Sequence, residues 1–293
     1  MRKPEKSLVD SIHRTYPDLS TRERAVADLV LEAPGDLSAC SASELAELAG
    51  VSNSTVTRFV QRLGFENYEE ARRSARDARE WGSPLFLAIK ATPKPDRPSP
   101  EKVAGHRELL ATFAEIEAGL LTETLAKLSP DRLDEITDAL ASASRLYFMG
   151  FRNSYYLAGY ARWQFIQCRP HTHLFPGPGE TVAERLAELG KGDLVVIVGM
   201  RRVVGKLRHY LEAIADTEAD VLLLTDPSAR HLPARARWTI TCPVENPYVF
   251  DSYAGVLAVL RLLAFETFQK LGKPGRAYLQ RVECHHERLG EFE

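Results

Sequence analysis

"VVIVGMRRVVGKL", residues Val195–Leu207, decides the fold. Val195, Val196, Ile197 and Val198 form an unbroken β-branched run, and Gly199 closes it. A short apolar run ended by a turn residue is the pattern of a strand covered on both faces. The residues that follow, "GKLRHYLEAIA", take up helical spacing. The same change of period recurs on either side. "RLYFMG", "HTHLF", "DVLLLT" and "WTITC" read as strands, and "ETVAERLAELG" reads as another intervening helix. Strand–helix alternation at this spacing predicts a doubly wound parallel sheet, of α/β class, with helices on both faces. A helical pair, about 101–128 and 131–143, precedes it, and two helices, "DSYAGVLAVLRLLAFETFQKLG" and "PGRAYLQRVECHHERLG", close the chain.

In an open parallel sheet, ligands meet the carboxyl ends of the strands. Met200, Arg201 and Arg202 stand at such an end, directly after Gly199. The first strand ends in the same way, in "YFMGFRNSYYLAG", where Gly150 stops the strand and Ser154 opens a helix. Free N–H groups at a helix start favour an anion, and guanidinium forks grip phosphate or carboxylate in bidentate fashion. The expected ligand-binding set is therefore Gly150, Arg152, Asn153, Ser154, Gly199, Met200, Arg201 and Arg202, with the three arginines at the mouth of one crevice. The competing reading makes Arg201 and Arg202 exposed surface charge, salt-bridged across a dimer.

The first 82 residues have a different rhythm. "LSTRERAVADLVLEAPG" carries Ser20 with Glu23 three residues on, a capping box, and "SASELAELAG" repeats it with Ser41 and Glu44. Then "SELAELAGVSNSTVTRFVQRLGF" has the arithmetic of a helix-turn-helix. Gly50 suits the left-handed turn, Val51 fills the gap between the helices, and Ser52 caps the second helix. Val56, Phe59, Val60 and Leu63 are expected inside, and Asn53, Ser54, Thr55, Thr57, Arg58 and Arg62 outside. A recognition helix sets such small polar groups and arginines against base edges. The expected DNA-binding set is Ser52, Asn53, Ser54, Thr55, Thr57, Arg58 and Arg62, with Arg72 and Arg76 of the next helix placed for phosphates.

Between the two regions, "SPLFLAIKATPKPDRPSP" concentrates five prolines, which cannot continue a helix. The expected organisation is an all-helical domain over 1–82, a proline-rich linker over 83–100 and the sheet domain over 101–293. The class is thus α plus α/β. With 44% hydrophobic and 27% charged residues in 293, the chain reads as an ordinary globular protein. A formal net charge of −2 excludes a bulk polycation, so any DNA contact must be a local patch. Four cysteines without paired spacing fit a reduced, cytoplasmic protein. The N-terminus lacks the apolar core of a signal peptide, and the most apolar helical stretch, "AGVLAVLRLLAF", carries Arg261 and is too short to span a membrane.

No catalytic residue, cofactor or metal is expected. An aldose–ketose isomerase needs a positioned base. The nearest candidates, Glu180 in "GPGET" and His231 in "SARHLPA", are lone loop residues. The "CHHE" run at Cys284–Glu287 points its neighbours apart on a helix, and His171 and His173 are two ligands where a metal needs more.

"SELAELAGVSNSTVTRFVQRLGFENYEEAR" resembles the reading head of RpiR-type transcriptional regulators, in which it precedes a sugar isomerase (SIS) domain. "FDSYAG" at Phe250–Gly255 is similar to that family too. The resemblance implies a phosphosugar-type effector, a double-stranded DNA operator and paired SIS domains, hence a homo-oligomer. It also marks two departures. The family usually has a second glycine where this chain has Arg152, and a serine- and threonine-rich phosphate cradle where this chain reads Gly199–Val203. The alternative the residues leave open is a phosphosugar isomerase with an accessory helical domain.

Overall fold

The computed structural model describes residues 8–32, 41–80, 106–201, 206–227, 232, 235–248 and 250–292. They form two compact units. The expected linker lies outside the described residues, as do Arg202 and His231, and so does the side chain of Arg76.

The first unit is helical: α1 (Leu8–Thr15), a short 3₁₀ turn at Tyr16–Asp18, α2 (Thr21–Glu32), α3 (Ala42–Leu48), α4 (Asn53–Arg62) and α5 (Tyr68–Glu80). Its elements begin where the caps place them. Ser41 and Glu44 form a reciprocal capping box at the start of α3, and the Ser52 hydroxyl accepts from the Thr55 N–H at the start of α4. Gly50 takes φ +62 between them, the left-handed conformation that a side chain resists. Val26, Leu45, Val56, Phe59, Val60 and Leu63 then close one core.

The second unit opens with α6 (His106–Ala126) and α7 (Pro130–Ser142). There follow β1 (Leu146–Gly150), α8 (Asn153–Ile166), β2 (Thr172–Phe175), α9 (Val182–Leu186), β3 (Leu194–Gly199), α10 (Leu207–Ala215), β4 (Asp220–Thr225) and β5 (Trp238–Thr241). The chain closes with α11 (Ala254–Leu289), which joins the two expected terminal helices across a kink at Gly272, φ +57 and ψ −129. The five strands lie in the order β2-β1-β3-β4-β5, every pair parallel.

Side chains alternate across this sheet, as the strand period requires. Leu146, Phe148, Leu194, Val196 and Val198 face a core closed by α7, α8 and α11. Tyr147, Met149, Val195 and Ile197 face a second core closed by α9 and α10. Helices on both faces explain why β3 reads as a solid apolar run: all six of its residues are buried.

Candidate functional site

The strand order places the crevice. From β1 the chain steps toward β2, and from β3 it steps toward β4, so β1 and β3 are neighbours with connections running apart. The helix after β1 lies on one face and the helix after β3 on the other. Such a switch point leaves the two carboxyl ends open as a cleft. Gly150 and Gly199 end the two strands, in neighbouring registers, and the Met200 N–H reaches the Ser154 hydroxyl at 3.5 Å.

Each residue at this cleft has a local cause. A Cβ at Gly150 would lie 2.1 Å from the Ser154 carbonyl oxygen, so only glycine lets α8 start so close to the strand. A Cβ at Gly199 would meet Leu207 at 2.8 Å, and the Gly199 carbonyl accepts from the Thr225 hydroxyl at 2.7 Å. Arg152 precedes α8 with φ +56 and ψ −127, a region that suits glycine and strains any residue with a Cβ. That angle is the physical reason a glycine is usual here. Arg152 and Asn153 are exposed, whereas Ser154 is buried. Burial raises the pKa of the Tyr253 phenol, and a hydrogen bond with Asn153 opposes the shift.

Two of the expected ligand groups are placed differently. Met200 is buried to 2% and belongs to the core beside α8, so only its backbone faces the cleft. The odd–even alternation carries on one residue past the strand and turns that side chain inward. Arg201 is not an exposed fork at the mouth. Its side chain is 5% exposed, its Nη1 lies 3.3 Å from Asp251 and 3.9 Å from Glu245, and two carboxylates offset its charge. Arg152 is thus the arginine of the expected set that the described residues leave at the surface of the cleft.

Sequence reasoning missed Asp226, buried at the carboxyl end of β4, along with Glu245, Asp251 and Tyr253. An acid directly after the apolar "VLLLT" was a usable signal for the first. Asp251 and Tyr253 lie in the "FDSYAG" stretch already singled out, without a role assigned to them there, and nothing local announces Glu245.

In the first unit, α4 presents Asn53, Ser54, Thr57, Arg58 and Arg62 outward. Asn53 donates to Ser43 of α3 at 3.0 Å, and Arg58 Nε donates to the Ser54 carbonyl at 3.3 Å, so the face is organised by local hydrogen bonds. Thr55 is a correction: at 3% exposed it is buried, with its hydroxyl 3.0 Å from that of Ser52. It stands four residues before Phe59 and shares that inward stripe. Arg62 is half exposed, yet its Nη1 donates to Glu23 at 2.8 Å and to the Asp18 carbonyl at 3.1 Å. Arg72 pairs with Glu69 one turn back on α5.

Glu180, the loop carboxylate weighed as a base, accepts from Arg185 and from the Gly177 N–H, which together hold its pKa below the ordinary value. His173 stacks on Tyr147, and burial lowers its pKa. Among the described residues, no group of three or more His, Cys, Asp or Glu is placed to hold a metal.

Residues 6–77 match the model of the helix-turn-helix domain, rpiR family, and residues 139–265 match the SIS domain. The chain is 24% identical to the HTH-type transcriptional regulator HexR of Pseudomonas aeruginosa, over 95% of each chain. The sugar isomerase domain of the RpiR transcription factor from Sphaerobacter thermophilus superposes with a TM-score of 0.55 at 21% identity, covering 60% of this chain and 97% of that one. The Vibrio vulnificus NanR protein, complexed with ManNAc-6P, superposes with a TM-score of 0.54 at 17% identity, covering 96% of this chain and 98% of its own.

Proposed function

The chain belongs to the RpiR-type transcriptional regulators, a helix-turn-helix head followed by a SIS domain, and we propose that its cleft between β1 and β3 senses a small anionic metabolite, a phosphosugar or a related phosphate or carboxylate. The observation that carries this reading is the strand-end cleft itself. Its Gly150 turn brings the start of α8 hard against the end of β1, that helix start carries no side-chain cap, and Arg152 holds a strained backbone at the rim, where the positive end of a helix favours an anion. The complex of NanR with ManNAc-6P, in a protein of the same fold along nearly its whole length, supports the ligand class.

In this reading an entering anion meets Arg152 and the positive end of α8, with Asn153 and Ser154 beside them. Arg201 acts differently from a free fork. An anion can draw on it only in competition with Asp251, which ties the end of β3 to the segment before α11. The head reads one DNA half-site through Asn53, Ser54, Thr57 and Arg58, and Ser52 supports them as the cap. Arg72 and Arg76, both on α5, are assigned to the phosphates.

A pair of heads is supplied by homo-oligomerisation through the SIS unit. Phe113, Trp163 and Phe265 are large apolar side chains about half exposed there, a feature of interaction surfaces. In this reading the protein regulates and does not turn its ligand over, which the pairing of Glu180 with Arg185 supports. It works in the cytoplasm; among the described residues no helix is long and apolar enough to cross a membrane.

A thermal-shift panel tests the sensor. ManNAc-6P, other sugar phosphates and small carboxylates are compared with inorganic phosphate, because a ligand that binds only the folded state raises Tm. At least one member should raise Tm, without product formation, and Arg152→Ala should abolish the shift. A panel that leaves Tm unmoved, or a sugar phosphate that is isomerised, overturns the proposal.

A further inference from the structure

A groove of about 450 Å³ lies between the start of α2 and the outer side of α4, lined by Ser20, Arg22, Glu23, Arg58, Gln61 and Arg62. It shares Arg58 with the face assigned above to DNA, and the inference below rests on that assignment. At its base sits a carboxylate. Glu23 accepts from the Ser20 N–H at 2.9 Å, from the Ser20 hydroxyl at 2.7 Å and from Arg62 at 2.8 Å, and its side chain is only 11% exposed. Burial alone would raise its pKa. Hydrogen bonds from Ser20 and the charges of Arg62 and Arg58 outweigh burial and keep the group ionised.

A negative charge under a DNA-facing surface needs a reason. Capping accounts for only part of it, since glutamine can also close a capping box and the charge adds only the helix-dipole contribution. What glutamine could not do is hold Arg62 back by charge. Sequence-independent binding grows with the number of cations that reach phosphates, and a regulator is limited by the ratio of operator to random-sequence affinity rather than by either alone. Arg62 is half exposed on the reading helix, and it is turned away toward Glu23 and the Asp18 carbonyl.

We propose that Glu23 is a specificity-determining residue of the head: it withdraws Arg62 from the DNA backbone and cancels its charge, so that affinity for random sequence stays low.

The test uses the full chain and two probes, a fixed random-sequence duplex and a duplex recovered from a random library by selection on the parent protein. Glu23→Gln keeps the cap and removes the charge. It should bind the random duplex at least threefold more tightly, steepen the log–log salt dependence by about 0.9, the value of one phosphate contact, and lower the selected-to-random ratio. Adding Arg62→Met to it should return both the random affinity and the slope to parental values. Affinities that fall together for both probes, an unchanged slope, or an excess that survives Arg62→Met would each overturn the proposal. Arg58→Ala is measured alongside. If it binds the selected duplex as the parent does, the assignment of the reading face fails and this inference with it; if it binds weakly while Glu23→Gln leaves the ratio unchanged, the inference alone fails.

Discussion

The helices that matter most in the two units begin in opposite ways. At the start of α4 every local rule is obeyed. Gly50 turns the chain at φ +62, and Ser52 stands at φ −82 and ψ 154 with its hydroxyl on the Thr55 N–H. At the start of α8 the capping position is Arg152, at φ +56, without a side-chain capping hydrogen bond. One helix end is finished by the chain itself. The other is held in a costly conformation and has no side-chain cap; its Ser154 and Tyr155 N–H groups turn back onto the Phe151 and Arg152 carbonyls. Violations of local preference that persist in a folded protein concentrate at ligand sites. The comparison therefore separates a helix start finished by its own side chains from one that, in the reading proposed above, a bound anion completes.

Three substitutions break or sharpen this contrast. The largest effect belongs to Gly150→Ala. Its new Cβ would meet the backbone of Ser154 and Tyr155, which cannot rotate aside, so the loss should reach or exceed the roughly 3 kcal/mol at the upper end of overpacking. A urea titration reads it as a lowered midpoint; an unchanged midpoint would mean that α8 can shift outward and that its close start is not required. Next comes Ser52→Ala, which removes the cap of α4 and should cost about 1 kcal/mol. The head should melt earlier and its operator affinity should fall, and neither change should appear if the DNA face does not depend on the cap. The smallest effect has the opposite sign. Arg152→Gly relieves strain of roughly 1–3 kcal/mol and adds back about 0.5–1 kcal/mol of glycine entropy. The net gain should lie between roughly 0 and 2.5 kcal/mol, read as a higher Tm, while the Tm rise caused by a bound sugar phosphate is lost, as in Arg152→Ala. If the glycine variant is less stable than the parent, Arg152 is not strained and the contrast between the two helix starts collapses.

The same contrast governs how far the sequence could be read. Caps, the turn glycine and strand alternation are local, and Ser41, Glu44, Gly50, Ser52 and the five apolar runs all announced their elements. The parallel, doubly wound class followed from rhythm alone. Thr55 was misplaced because a threonine next to exposed serines looks polar, while the helical period that aligns it with Phe59 is the stronger fact. Met200 and Arg201 were misplaced for a different reason. Their surroundings come from α8, Glu245 and Asp251, segments far away in the chain, and no local pattern tells a buried, ion-paired arginine from an exposed one. Strand order was also out of reach, although the pairing of β1 with β3 is what joins the two turns into one cleft.

That strand order has a kinetic side. Every pairing in the sheet is parallel, so each pair of neighbours must be separated by a crossover: Leu146 meets Thr172 on one side and Leu194 on the other. Contacts that distant close loops before they gain any reward, and sheets built from them assemble slowly, whereas a small helical unit rich in near-neighbour contacts forms fast. Synthesis adds to this order. Residues 8–80 have left the ribosome before β1 is made, and domains fold as units from the N-terminus. The helical unit proposed to read DNA therefore exists on a growing chain whose cleft does not, and the proposed response to a metabolite would be the last property the molecule acquires.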